Sequence, residues 1–442
     1  MNSTSVSATT GALHVGAPAG FRRVAFEGLA SGASWTLAAS VTAALSQWLL
    51  LMVTAKLGSA EMVGQLALSF AIVAPIQALT DMALRPALAT DARRDFHFND
   101  YLDLRMKMIA VAVITIAAAA WWRGGATASI IVAVGLQKAA ESASDLFYGL
   151  FQREERLRWM GQSVVIRSTL ASVAFVGVML AYGDLLSACL AGVLVRVGTL
   201  LLHDLPRGSG LTPIVLGRRK HPRRNRIGEL FRKSLPLAAG VAIMAFTVNL
   251  PRYFVEKRMG VAALGIFAAL IYVFQAGAML IDAVSQAACA RLAQHHLLGE
   301  YHAFRLVLWK LIALALTLAG GGIVIAFAGG GPLLRIAYSA AFAGAAKPFL
   351  WLSVCAIPWY CSSVFGYALM ARRQMSAFFY CQVASLGVTI AGSYWLITAG
   401  GGGPNRLTEA CLVVFLTYFV QLALYGAVLW RGDTNTQEAM PR

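Results

Sequence analysis

Long apolar runs, each close to 20 residues, alternate along the chain with short polar segments that are rich in lysine and arginine. A helix needs roughly 20 apolar residues to cross the hydrocarbon core of a bilayer. The pattern therefore predicts an all-α membrane protein with about 12 transmembrane helices. The predicted spans are 34–54, 64–84, 106–122, 126–150, 160–182, 185–204, 234–256, 262–286, 306–328, 347–370, 376–397 and 408–430.

The composition agrees with this pattern. Of the 442 residues, 58% are hydrophobic and only 13% are charged, and the mean hydropathy is +0.67. Soluble domains carry about 25% charged residues, so a soluble enzyme, a secreted disulfide scaffold and a disordered chain are excluded. The six cysteines have no CxxC or metal-ligand spacing, and the HExxH, GxSxG and Walker A motifs are absent from the sequence. No catalytic residue and no metal site is therefore predicted.

The basic residues predict how the chain is oriented. If the N-terminus is cytoplasmic, 26 lysines and arginines lie in cytoplasmic segments and 7 in outside loops. Because cytoplasmic loops carry the excess of basic residues, both termini are expected in the cytoplasm, and the protein in a bacterial inner membrane. Topology and contact with anionic membrane lipids then account for most of the net charge of +17, and no nucleic-acid partner is predicted.

A basic segment containing RRKHPRRNR separates six predicted spans from the other six. The second spans of the two halves align: Gly64 matches Gly265, and Asp81 and Asp282 each follow 17 residues later. This predicts a parallel internal repeat, as in secondary transporters with two lobes. The predicted parts are a cytoplasmic tail (1–33), a first lobe (34–204), a basic cytoplasmic linker (205–233), a second lobe (234–430) and a second cytoplasmic tail (431–442).

Ionisable residues inside the predicted spans are the main candidates for function. At about 3 kcal/mol each near mid-membrane, eight of them facing lipid would cost roughly 24 kcal/mol, which exceeds a typical folding stability of about 5–15 kcal/mol. Most are therefore expected to be paired, near the interface or beside a wet cavity. They are Asp81, Lys138, Glu141, Asp145, Arg167, Arg196, Arg252 and Asp282.

Two local patterns place these residues. Lys138, Glu141 and Asp145 have the spacing of a single helix face, so we expect an ionic cluster in the first lobe. The alternative is that its ion pairs only lock neighbouring helices together. In the second lobe, Asn249 and Arg252 flank Pro251, which breaks the helical hydrogen-bond pattern and makes a polar step; alternatively, Arg252 reaches the outer membrane surface.

Three segments resemble the polysaccharide-transporter family, the flippases of O-antigen, capsule and exopolysaccharide repeat units. They are ATDARRDFHFNDYLDLR (89–105), KAAESASDLFYGLFQREER (138–156) and NLPRYFVEKRMGVAALGIFAALIYV (249–273). This family lies within the multidrug/oligosaccharidyl-lipid/polysaccharide (MOP) exporter superfamily. The resemblance implies a V-shaped transporter with two lobes that moves a polyprenyl-pyrophosphate-linked oligosaccharide from the inner to the outer leaflet. Other polysaccharide-assembly proteins are expected partners.

The residues suit that substrate, because a pyrophosphate cannot cross hydrocarbon without a wet, basic cavity. The expected substrate ligands are Arg167, Arg196, Arg252, Lys138 and Asn249, with arginine suited to bidentate phosphate contacts. Glu141, Asp145, Asp81 and Asp282 are expected to couple transport to H⁺ or Na⁺, or to form internal ion pairs, and no other cofactor is predicted. The alternatives are a cation-coupled multidrug extruder of the same fold, a polytopic polysaccharide polymerase or ligase, and a membrane scaffold.

Overall fold

The computed structural model describes residues 19–91, 94–213, 224–399 and 406–438, and within these ranges the regular structure is entirely helical. A π-helical turn, Leu200–Asp204, follows the α-helix Leu185–Thr199, and a second one, Ser393–Ala399, follows the α-helix Met375–Gly392. The α-helices are α1 (Ala19–Leu57), α2 (Ala60–Thr80), α3 (Leu84–Thr90), α4 (Phe98–Arg123), α5 (Gly125–Arg153), α6 (Leu157–Tyr182), α7 (Leu185–Thr199), α8 (Leu205–Leu211), α9 (Arg224–Met259), α10 (Val261–Leu297), α11 (Tyr301–Ala337), α12 (Ala340–Ala343), α13 (Ala346–Ala371), α14 (Met375–Gly392) and α15 (Arg406–Glu438).

Eleven helices in the described part of the chain are long and apolar enough to cross a membrane. The predicted span at 126–150 is not one of them, although α5 covers it and is 29 residues long. Lys138, Glu141 and Asp145 make its central part too polar by composition alone. A helix with these charges is stable within a bilayer only if neighbouring helices cover them, and much of α5 is buried.

Helical structure extends beyond the bounds predicted from sequence. The linker predicted at 205–233 is helical up to Leu211 and again from Arg224, and residues 214–223 lie outside the described part. Between the predicted spans 306–328 and 347–370, α11 continues to Ala337 past a kink at Gly329, and α12 follows. Likewise α1 begins within the predicted N-terminal tail, and α15 runs into the predicted C-terminal one. Apolar runs understate helix length because polar residues near the membrane surface remain helical.

The helices form two lobes, α1–α8 and α9–α15, which meet mainly where α2 packs against α9 and α10. The connections define two ends of the molecule. The basic end holds the connections near residues 94–97, 154–156, 298–300 and 372–374, and the far end holds those near residues 58–59, 124, 183–184, 260 and 338–345.

Two glycines let α2 and α10 cross closely near the far end. A Cβ atom placed on Gly64 would lie 1.8 Å from the Val261 carbonyl oxygen, and one on Gly265 would lie 1.9 Å from that of Ala60. Each carbonyl belongs to the residue four positions before the other glycine, so the contact is reciprocal. Small residues permit such close helix contacts within membranes. The glycines that align in the sequence repeat therefore form a symmetric contact within the lobe interface.

Two more contacts join the lobes on this side of the molecule. The Arg123 guanidinium at the end of α4 forms an ion pair with Glu256 on α9. The Tyr253 hydroxyl on α9 donates a hydrogen bond to the Ala71 carbonyl on α2. Together with the glycine crossing, these contacts hold the lobes together toward the far end.

Candidate functional site

A cavity of about 160 Å³ lies between the lobes. Helices α1, α2 and α5 of the first lobe and α9 and α10 of the second contribute its walls. It is lined by Gln47, Phe70, Val73, Ala74, Lys138, Val248, Asn249, Arg252, Tyr272 and Gln275. The lining therefore has two cations, three amides and one phenol, and it contains no carboxylate. Such a set of donors suits an anionic or a polyhydroxyl ligand.

Arg252 is the cation that the second lobe supplies. Its side chain is 4% exposed, and its Nη1 donates a hydrogen bond of 2.9 Å to the Asn249 side-chain oxygen. The Asn249 amide in turn donates to the Ala245 carbonyl at 2.8 Å, which fixes that side chain along α9. The Arg252 guanidinium lies 5.5 Å from the centre of the Tyr272 ring, within cation–π range.

Arg252 is not neutralised by an acid. No carboxylate within the described ranges forms a salt bridge with it, and its buried Nε has no hydrogen-bond partner. A buried charge without a counter-ion costs several kcal/mol. The alternative in which Arg252 extends to the outer membrane surface is wrong, because the side chain is buried at the cavity. An anion in the cavity would supply the missing partner.

Lys138 is the cation that the first lobe supplies, and it belongs to a cluster around Glu141. Its Nζ lies 2.7 Å from Glu141 Oε2, and Arg196 Nε on α7 lies 2.8 Å from Oε1. Arg196 Nη1 also donates to the Gly192 carbonyl at 3.1 Å. One carboxylate thus holds two cations, and only Lys138 of these three side chains reaches the cavity lining.

Arg167 on α6 also belongs to this cluster, although it too lies outside the cavity lining. Its guanidinium packs over the Tyr148 ring at 5.8 Å from the ring centre, and it interacts electrostatically with Glu141 and with Asp204. Of the five expected substrate ligands, the structure therefore brings Lys138, Asn249 and Arg252 together. Of the other two, Arg196 pairs with Glu141 outside the cavity lining, and Arg167 packs over the Tyr148 ring.

Asp81 and Asp145 lie in a separate network toward the basic end. Arg105 on α4, which is fully buried, donates to Asp81 Oδ1 at 2.7 Å and lies 3.7 Å from Asp145 Oδ2. Arg85 pairs with Asp145 at 3.0 Å. Ser142 on α5 bridges Arg105 and Asp81 by hydrogen bonds to both. Asp145 thus pairs away from Lys138 and Glu141, although all three share a helix.

Arg105 is the residue that sequence reasoning missed. Arg105 directly precedes the predicted span 106–122, so sequence reasoning placed it at the membrane surface, but α4 begins at Phe98 and carries it into the protein. Two acids at the same end of neighbouring spans, Asp81 and Asp145, were the available signal, because buried carboxylates require a counter-charge.

Asp282 is the counterpart of Asp81 in the second lobe, and it has a simpler environment. Ser363 on α13 donates a hydrogen bond to it, as Ser142 on α5 does to Asp81. In both lobes, then, an acid accepts a hydrogen bond from a serine on the fourth long helix; Asp81 directly follows the second long helix of the first lobe, and Asp282 lies within that of the second. No lysine or arginine in the described part of the chain forms a salt bridge with Asp282.

Solved structures that share this fold include membrane transporters. An inward-facing multidrug resistance MATE family transporter of the MOP superfamily aligns with a TM-score of 0.74 at 10% identity, over 90% of this chain and 96% of that one. The lipid II flippase MurJ in an inward closed conformation aligns with a TM-score of 0.72 at 10% identity, over 89% and 87%. The chain has the fold of the MOP-superfamily transporters. Both of these proteins are transporters rather than enzymes.

The chain is also similar in sequence to a protein of polysaccharide biosynthesis. The chain is 26% identical over 255 residues to the capsular polysaccharide biosynthesis protein CapF of Staphylococcus aureus. The match covers 57% of this chain and 63% of the length of that relative. No family model matches the sequence.

Proposed function

We propose that the protein is a flippase of surface polysaccharide biosynthesis. It moves polyprenyl-pyrophosphate-linked oligosaccharide repeat units from the inner to the outer leaflet of a bacterial inner membrane. The observation that carries this proposal is the cavity between the lobes, in which Arg252 is buried without a counter-ion and no lining residue is acidic. The likenesses to CapF and to the lipid II flippase support the same substrate class.

The chemistry of the cavity suits both polar parts of such a substrate. The polyprenyl tail stays in the hydrocarbon, whereas the pyrophosphate and the sugars need a polar path. Arg252 binds the pyrophosphate, because its guanidinium remains charged and offers parallel donors to two oxygens. Lys138 adds a second positive charge from the other lobe. The amides of Gln47, Asn249 and Gln275 bind sugar hydroxyls.

Transport follows from alternating access around this cavity. The basic end faces the cytoplasm, where the substrate is made, and the contacts toward the far end keep the outer side closed during loading. An anion held by cations from both lobes changes the relative stability of the two lobe arrangements. The ion pair between Arg123 and Glu256 and the crossing of Gly64 and Gly265 must then separate for release.

The proposal is tested by reconstituting the full chain in liposomes and measuring flipping of fluorescent lipid-linked oligosaccharides with a pyrophosphate or a monophosphate linker. Wild type is expected to flip the pyrophosphate-linked lipid at least tenfold faster than the monophosphate-linked one. Arg252→Ala should abolish this flipping, and Arg252→Lys should restore it partly, because lysine keeps the charge but loses the bidentate contact. Arg258→Ala is the matched control, because Arg258 is an exposed arginine on the same helix.

A parallel assay with a cationic dye separates the multidrug alternative. An acidic cavity is expected of an exporter of cationic drugs, and this lining has no acid. Dye transport that survives Arg252→Ala, with no flipping of either lipid by wild type, would overturn the flippase proposal and favour the extruder.

A further inference from the structure

Pro75 removes one hydrogen-bond donor from the interior of α2. A proline has no backbone N–H, so the carbonyl four residues earlier loses its helical partner, and in α2 that carbonyl belongs to Ala71. Ala71 is fully buried. A backbone carbonyl without a partner is strongly disfavoured inside a membrane, so the Ala71 carbonyl needs a donor from another part of the structure.

The donor comes from the other lobe. The Tyr253 hydroxyl on α9 donates a hydrogen bond to the Ala71 carbonyl. The Tyr253 ring also packs against the Phe246 ring on the same helix, with the ring centres 6.1 Å apart, and this contact orients the tyrosine. Helix α2 of the first lobe thus relies on a side chain of the second lobe to pair the carbonyl that Pro75 frees.

Two other tyrosines donate to helix carbonyls, but they join parts of a single lobe. Tyr338 donates to the Ala269 carbonyl at 2.9 Å, and Tyr360 donates to the Phe274 carbonyl at 2.7 Å. Both acceptors lie on α10, and neither is followed by a proline four residues later. Those carbonyls therefore keep a helical N–H as donor when the tyrosine is absent, whereas the Ala71 carbonyl does not.

The hydrogen bond between Tyr253 and Ala71 lies at the edge of the cavity. Each partner directly follows a lining residue, because Ala71 follows Phe70 and Tyr253 follows Arg252. When the far end opens, α9 moves away from α2 and the Ala71 carbonyl loses its donor. Water must then reach this carbonyl to replace the tyrosine hydroxyl. Opening is therefore disfavoured until the edge of the cavity is hydrated.

We propose that Pro75 and Tyr253 form a latch, in which the carbonyl freed by the proline binds the hydroxyl of the other lobe and keeps the far side of the cavity closed. Pro75→Ala would return a helical donor to the Ala71 carbonyl, so the lobes could then separate without leaving it unpaired. The proline thus makes the strength of the tyrosine contact depend on the arrangement of the lobes. A role of the latch in substrate release rests on the proposed function, whereas its effect on the lobes does not.

The latch is tested by measuring the distance between the lobes at the far end, by pulsed electron paramagnetic resonance on the full chain in nanodiscs. Genetically encoded spin labels, which leave the six cysteines unmodified, replace two exposed side chains, Tyr182 of the first lobe and Ile336 of the second. Tyr253→Phe should raise the fraction with a long distance at least threefold, because it removes one hydrogen bond of the closed arrangement. Tyr360→Phe is the matched control and should leave this fraction unchanged, because its hydrogen bond lies within one lobe.

A double-mutant cycle with Pro75→Ala distinguishes the latch from an ordinary contact. In the Pro75→Ala background, Tyr253→Phe should have little further effect, because the Ala71 carbonyl no longer depends on the tyrosine. If wild type shows only the short distance, all variants are compared in Arg123→Gln, which removes the ion pair at the far end.

An unchanged fraction in Tyr253→Phe would overturn the latch. An effect of Tyr253→Phe that is as large in the Pro75→Ala background as in wild type would overturn it too, because the proline would then play no part. These distances are measured without substrate, so they decide on the latch independently of the flippase proposal.

Discussion

The two lobes share one polar contact but surround it differently. In the first lobe Asp81 accepts from Ser142, and in the second Asp282 accepts from Ser363. The first lobe adds a fully buried arginine, Arg105, which ties Asp81 and Asp145 into one network. The repeat has therefore kept the packing of its second and fourth helices, while the charges around that packing have diverged.

The two lobes also contribute differently to the cavity. The first lobe supplies Lys138, which forms an ion pair with Glu141. The second lobe supplies Arg252, whose guanidinium contacts the Asn249 amide oxygen and the Tyr272 ring. Counter-charges are thus abundant in the first lobe and scarce in the second. This comparison predicts that the first lobe holds the structural ion pairs, and that the second lobe presents the cation that is free to bind a ligand.

The largest effect is expected where the lobes are most symmetric, at the glycine crossing. Gly64→Ala and Gly265→Ala should each reduce flipping by about 100-fold or more, because either Cβ would overlap a backbone carbonyl of the other lobe and prevent closure. Gly177→Ala and Gly198→Ala are matched controls with open space around the added methyl group. A pair of variants with very different losses would contradict the symmetric crossing.

The second prediction compares the two acids by unfolding in detergent. Asp81→Asn leaves the buried Arg105 with the more distant Asp145 as its acidic partner, so it should lower the free energy of unfolding by about 3 kcal/mol. The sequence alone left open whether Asp81 is paired or lies near the interface. The double variant Asp81→Asn with Arg105→Gln should recover part of the loss. Equal stability of Asp81→Asn and wild type would show that Arg105 does not depend on Asp81.

The sequence was sufficient for features that depend on local patterns. Apolar runs predicted the helices, and the spacing from Gly64 to Asp81 and from Gly265 to Asp282 predicted an internal repeat. In the structure those glycines meet in the lobe interface, and each acid accepts a hydrogen bond from a serine on the fourth long helix of its lobe. Such features survive in sequence because they require particular residues at fixed positions along a helix.

The pairing of charges was not predictable in the same way, because it depends on which helices are neighbours. Asp145 shares a helix face with Glu141 by spacing, yet it pairs with Arg85 and Arg105 from other helices. His203 and Asp204 were assigned to the end of a span because a π-helical turn has no clear sequence signature. Burial of a polar residue by tertiary contacts leaves no periodic trace in the chain.

A third, smaller effect is expected at Arg196. Sequence reasoning treated it as a direct pyrophosphate ligand, whose loss would abolish export. In the structure Arg196 forms an ion pair with Glu141 outside the cavity lining. Glu141 keeps its ion pair with Lys138 after Arg196→Ala. Flipping should therefore fall by about tenfold, less than in Arg252→Ala, with little loss of protein from the membrane. Loss of flipping as complete as in Arg252→Ala would place Arg196 at the ligand and restore the earlier interpretation.

The smallest effect on stability is expected at Asp282. Asn in this position can still accept the hydrogen bond from Ser363, and no arginine is left unpaired, so Asp282→Asn should change the free energy of unfolding by less than about 1 kcal/mol. Transport is the sharper measurement, because an acid without a basic partner is the natural place in the second lobe for a coupling H⁺ or Na⁺. If Asp282 couples transport, Asp282→Asn should lose the dependence of flipping on an imposed H⁺ or Na⁺ gradient while keeping its stability. If the gradient still accelerates flipping as in wild type, Asp282 is only a packing residue, and the asymmetry between the lobes has no part in coupling.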